Sequence, residues 1–122
     1  MKAARIVFGI IYLLGAAFNI FTVATTGFKP YTVFPEATFW PWYYAAWQAV
    51  AVPNITLIVI LLICFEVGLG LLFLLDRQRL WLALLLGTLF CLASMPVMVE
   101  AIYTNLPLAL IQAFLLWLEL RR

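Results

Sequence analysis

The stretch from Pro53 to Leu75 runs for 23 residues and carries a single charge, Glu66. At 1.5 Å per residue a helix of that length measures about 35 Å, enough to cross a hydrocarbon core of about 30 Å. In lipid the backbone must satisfy its own hydrogen bonds, and a helix does so within one segment. A run of this kind therefore admits few folds, and the rest of the chain follows the same pattern. Hydrophobic residues make up 68% of the sequence, charged residues 10%, and the mean hydropathy is +1.16. These values lie far outside those of a soluble globular domain.

Three other apolar runs accompany the first. Ile6 to Thr25 follows Lys2 and Arg5 and resembles a secretory leader, but it exceeds the 7–15 residues of a leader's apolar region and lacks a small-x-small cleavage site. It reads as a membrane helix. Leu80 to Tyr103 is interrupted by Pro96, which should kink it near Leu92 by removing a backbone hydrogen bond. Leu106 to Leu120 spans only about 22 Å as a helix. The expected architecture is an all-α membrane protein. It is one domain of residues 1–122, a four-helix bundle with helices at about 6–26, 53–75, 80–103 and 106–120. Turns are expected at Asp76 to Arg79 and Thr104 to Pro107.

Orientation follows from the basic residues. Lys2, Arg5, Arg77, Arg79, Arg121 and Arg122 fall on one side of the four-span chain, and Lys29 falls on the other. Positive charge concentrates on the cytoplasmic side, so both termini are expected there. The net charge of +2 is too small and dispersed to suggest a nucleic-acid partner. With no histidine, imidazole-ligated haem or zinc and Ser-His or Cys-His nucleophile pairs are excluded. Two cysteines outside a CxxC spacing are too few for an iron–sulfur cluster, and no phosphate-binding glycine motif is present.

Residues 27–52 form an outer segment dense in aromatics, among them Trp40, Trp42, Tyr43, Tyr44 and Trp47. Such rings favour the headgroup level, so this segment reads as a surface cap with a short helix from Pro41 to Val50. It serves either as an interfacial anchor or as a lid over a lipid-soluble ligand.

Helices two and three are joined by a tight turn, which puts Cys64 level with Cys91 and Gly68 level with Gly87. Together with Ala83 these small residues recur every four positions and predict a close seam between the two helices. The two cysteines become possible neighbours there, expected to be small buried hydrophobes rather than a disulfide. Glu66 lies about 200° around the helix from Cys64 and Gly68, so it faces another helix or a partner. It sits about 15 Å from Asp76, near the bilayer midplane. Gln112 comes to a similar depth, within reach of a hydrogen bond, while Asn19 and Ser94 lie one turn further out and extend a polar track toward the cap. An ionised carboxylate at that depth costs several kcal/mol, and no lysine or arginine lies within a predicted span. Glu66 is therefore expected to carry its proton. It acts either as a proton-handling or ligand-binding group or as a structural tie between helices. Glu100 is expected near the outer end of helix three, and Glu119 as an interfacial charge beside Arg121 and Arg122.

Arg5-Ile-Val-Phe-Gly9 with Leu14-Gly15 and Asn19, and Glu66-Val-Gly-Leu-Gly-Leu-Leu-Phe-Leu-Leu75 followed by an arginine-bearing turn, resemble the first two helices of DoxX-like membrane proteins. The resemblance implies a four-helix bundle in the bacterial cytoplasmic (inner) membrane. It also implies association with quinone-coupled sulfur oxidation or with thiol and oxidative-stress complexes, and it carries Glu66 and Asn19 over as site positions. The leading expectation is a subunit that binds a quinone or similar lipid and assists a membrane oxidoreductase, with no intrinsic cofactor. It would act as a homo-oligomer or within a larger membrane complex. A small proton-coupled transporter using Glu66, and a structural or assembly subunit of a membrane complex, are the alternatives. The candidate ligand or proton residues are Glu66, Asn19, Gln112 and Ser94.

Overall fold

A computed structural model describes residues 1–33, 41–94 and 101–121. The described residues are helical almost throughout. Helix α1 covers Lys2–Thr26, α2 Lys29–Val33, α3 Pro41–Ala46, α4 Ile55–Leu75, α5 Leu80–Ser94 and α6 Ala101–Leu120. A π-helical turn (Trp47–Ala51) and a 3-10 turn (Val52–Asn54) join α3 to α4 without a break. The stretch from Pro41 to Leu75 is thus one apolar helical path of 35 residues. It and α1 are each long and apolar enough to cross a membrane, whereas α5 and the apolar part of α6 are shorter. Pro53 falls at the start of the 3-10 turn, where its missing N–H removes no regular helical bond.

The helical path into the second span thus begins at Pro41 rather than Pro53, and the boundary before the last helix differs as well. The expected turn at Thr104 to Pro107 is helical, with Pro107 inside α6. Thr-Asn-Leu-Pro has turn chemistry, but Asn105, Leu108, Ala109 and Gln112 share an inward face, and tertiary packing overrides local preference. Residues 101–103 accordingly belong to α6 rather than to the helix before it. The last helix is about 30 Å long rather than the expected ~22 Å. Pro96 and Glu100 lie outside the described residues, while Leu92, where the kink was expected, lies within α5.

Helices pair through their small residues. A Cβ added to Gly9 would lie 2.5 Å from Leu74 Cγ and 3.2 Å from the Gly70 carbonyl oxygen. One added to Gly70 would lie 2.8 Å from Leu13 Cγ and 3.0 Å from the Gly9 carbonyl oxygen. The backbones of α1 and α4 therefore touch, as helices do where glycines face each other. α5 lies against α6 in the same close fashion, with Gly87 beneath the Gln112 side chain. α4 and α5 are only loosely apposed.

This overturns the predicted seam. Cys64 and Gly68 are exposed, and a Cβ on Gly68 would meet nothing within 4 Å, whereas Ala83, Gly87 and Cys91 are buried. Small residues permit close approach but do not name the partner: Gly87 and Cys91 of the α5 stripe meet Gln112 of α6 and Tyr12 of α1. Cys64 and Cys91 face different surroundings, and both are free thiols.

The core lies toward the end that holds Arg5. Phe8 and Tyr12 of α1 reach Leu69 and Phe73 of α4 and Leu80, Ala83 and Leu84 of α5. Tyr12 stacks on Phe73 with ring centres 5.7 Å apart and planes 7° apart. Arg5 closes this end by donating from Nε to the Phe73 carbonyl (3.2 Å) and from Nη2 to that of Leu74 (3.1 Å). These carbonyls have no intrahelical partner at a helix C-terminus, where a cation also complements the helix dipole. The outside of the molecule is strongly apolar: Leu14, Phe18 and Phe21 of α1 are each more than 60% exposed. Glu66, Thr88 and Gln112 are buried.

Candidate functional site

Glu66 is held between α4 and α1. It is 7% exposed, and its carboxylate oxygens sit over Gly15, where an added Cβ would come within 3.3 Å of Oε2 and 3.4 Å of Oε1. Gly15 thus leaves the space the carboxyl group occupies. Asn19, one turn along α1, donates from Nδ2 to Glu66 Oε2 at 3.0 Å. The two residues differ in depth by about one turn, and their side chains span it. Oε1 has no hydrogen-bond partner among the described residues.

The line continues away from the Arg5 end. Tyr31 of α2 is 5% exposed and donates its hydroxyl to Asn19 Oδ1 at 2.7 Å. Burial pushes the Tyr31 phenol above its usual range, partly offset by a hydrogen bond with Thr22. Trp47 donates its indole N–H to the Tyr31 backbone carbonyl at 3.0 Å. Trp47 opens the π-helical turn, and π-turns re-aim side chains within a helix. The result is a chain Glu66–Asn19–Tyr31–Trp47 that ties the buried acid to the aromatic segment.

A second polar cluster lies one to two turns nearer the Arg5 end. Gln112 is 0% exposed and accepts the Tyr12 hydroxyl at 2.9 Å through Oε1. Its Nε2 donates to Cys91 Sγ at 3.4 Å and to the Leu108 carbonyl at 3.2 Å. The Tyr12 hydroxyl also lies 3.3 Å from the Gly87 carbonyl and 3.6 Å from Cys91 Sγ. This cluster joins α1, α5 and α6.

The structure therefore separates residues the sequence reading had grouped. Glu66 pairs with Asn19 rather than with Gln112, because Glu66 faces α1 while Gln112 points into the α5–α6 contact. Ser94 does not join the polar track: its hydroxyl donates to the Phe90 carbonyl of its own helix at 2.8 Å. Among the cap aromatics, Trp47 reaches the site and Tyr43 stacks on it, with ring centres 6.3 Å apart. Trp42 is 65% exposed and Tyr44 38% exposed, so neither is held at Glu66. Trp40 lies outside the described residues. Tyr12 was missed, and Tyr31 was legible as one of the aromatics of the outer segment but not as a partner of Asn19. Tyr12 had a legible signal, since Tyr12, Gly15, Ala16 and Asn19 fall at i, i+3, i+4 and i+7 on one face of α1. The contact of Tyr31 with Asn19 had none, because it depends on how the chain turns after Gly27, which takes a positive φ of 77°.

On the other side of α4 the loose α4–α5 contact opens an apolar groove of about 410 Å³, with Leu61, Phe65, Leu89 and Phe90 in its walls. It does not include Glu66. Comparison with family models, with curated proteins and with solved structures gives no match to this chain.

Proposed function

We propose that this chain is a four-span, DoxX-like subunit of a bacterial inner membrane with both termini on the cytoplasmic side. In this reading it binds a quinone or similar lipid-like ligand at Glu66 and assists a membrane oxidoreductase. The membrane placement is supported by a surface that is apolar where a soluble protein's would be polar, and by a polar interior. The orientation is supported by Lys2, Arg5 and Arg77, which gather at one end of the bundle.

The observation that carries the functional reading is the buried Glu66, its carboxyl group seated over Gly15 with Oε2 engaged by Asn19. A polar side chain deep among apolar helices is expensive, and such groups mark ligand or ion sites more often than scaffolds. A ligand carbonyl or hydroxyl would meet Glu66 Oε1. Asn19 fixes the carboxyl group, and Tyr31 in turn fixes Asn19, so the position of Oε1 is set by two successive hydrogen bonds. Trp47 ties the helix that follows Pro41 to Tyr31 and so to this site.

The test is mass spectrometry of lipids retained after mild detergent extraction, comparing the native chain with Glu66→Gln and Glu66→Ala. A quinone or isoprenoid lipid retained by the native chain and depleted in both variants supports the reading. Equal retention in all three would leave Glu66 and Asn19 as a hydrogen-bonded clamp between α1 and α4, the role of a structural subunit.

A further inference from the structure

We infer that the basic end of the bundle holds a second site, one that takes the phosphate of an anionic lipid headgroup. It goes beyond the Glu66 reading and does not depend on it, since Arg5 and Asn19 lie about 21 Å apart along α1. A recess of about 840 Å³ opens where the start of α1, the α4–α5 turn and the end of α6 meet. Lys2, Arg5, Arg77, Gln78 and Glu119 line it. Three cationic side chains from two separate elements thus converge on one concavity, opposed by one carboxylate.

Its chemistry selects an oxyanion. Arg5 is fixed by its bonds to the Phe73 and Leu74 carbonyls, which leaves the two N–H groups of Nη1 without a partner among the described residues. A guanidinium held on one edge presents the other as a preset donor pair, which matches phosphate geometry. Lys2 and Arg77 supply charge from either side, and Gln78 adds an uncharged donor. Arg79 does not line the recess and pairs instead with Asp76 at 3.6 Å. Leu75 and Leu120, close in sequence to the Arg77 and Glu119 of the lining, are exposed, so a headgroup seated there can lay its acyl chains along apolar helix faces. Basic pockets at helix ends take anionic headgroups in this way.

The experiment is native mass spectrometry of the full chain in detergent, titrated with dioleoylphosphatidylglycerol or dioleoylphosphatidylcholine. The expected result is preferential binding of the phosphatidylglycerol. Lys2→Gln and Arg77→Gln should each weaken it about fivefold at low salt. Glu119→Gln should strengthen it, and Arg79→Gln, which removes the same charge outside the recess, should change it less than twofold. Inorganic phosphate at millimolar concentration separates the two sources of the phosphate group. Displacement that depends on Lys2 and Arg77 supports the site with free phosphate as its occupant, and retention of the lipid supports the headgroup. Equal binding of the two lipids, or equal losses in Arg77→Gln and Arg79→Gln, would overturn the proposal. Lys2, Arg77 and Glu119 lie outside the packed core, so these variants leave the fold intact for the measurement.

Discussion

Gly68 and Gly87 stand at matched depth on α4 and α5, yet they respond oppositely to one added methyl group. At Gly68 the new Cβ would meet nothing within 4 Å. The substitution then gains helix propensity and loses no contact, so Gly68→Ala should be neutral or stabilise by up to about 1 kcal/mol. At Gly87 the Cβ would fall against Gln112 Oε1 and 2.7 Å from the Tyr12 hydroxyl. Both groups are buried and hydrogen-bonded to each other, so neither can retreat without breaking a bond. Overpacking of this kind costs about 1–3 kcal/mol, which outweighs the propensity gain, and the expected net effect of Gly87→Ala is about 1–2 kcal/mol of destabilisation. Reversible unfolding in mixed micelles measures both. The penalty should shrink when Gly87→Ala is combined with Gln112→Ala, because the principal obstruction has gone. If Gly68→Ala cost as much as Gly87→Ala, the α4–α5 seam expected from the small-residue spacing would be the real one, and the pairing described here would be wrong.

Other consequences are equally specific. Asn19→Ala removes the donor to Glu66 and the acceptor for Tyr31. At about 0.6–1.7 kcal/mol for each hydrogen bond between membrane helices, it should cost about 1–3 kcal/mol in the same unfolding assay. Tyr31→Phe should cost roughly 1 kcal/mol and should also flatten the alkaline limb of a stability–pH curve. Burial raises the folded-state Tyr31 value, so its contribution is intact below the unfolded value of about 10 and is lost as pH rises through the folded one. Arg5→Ala should fray the end of α4 at a cost of about 1 kcal/mol, since its bonds are only partly buried, with faster amide exchange at residues 73–76.

Helix type and approximate position were legible because apolar runs of this length leave lipid-crossing or core helices as the only economical solution. The direction of Glu66 was legible too, since the 100° rotation per residue places it opposite Cys64 and Gly68, which are exposed. Partner choice was not. The same Gly87 spacing fits α4 or α6, and only the shapes of Tyr12 and Gln112 decide between them. Depth arithmetic put Gln112 near Glu66 but says nothing about azimuth, which the packing of α6 on α5 sets. The Thr104–Pro107 turn signal was local and was overridden by the inward face running from Asn105 to Leu116. Ser94 illustrates another limit: a serine inside a helix can satisfy itself on the carbonyl four residues back, which no polar count reveals.

The most direct test of the Glu66 reading is photolabelling with an azido-quinone in native membranes, followed by peptide mapping. A ligand at Glu66 places label on α1 around Asn19, on α4 around Glu66 and on Tyr31 and Trp47, with the yield cut at least fivefold by Glu66→Gln. Label confined to the apolar α4–α5 groove, or unchanged in Glu66→Gln, would contradict it.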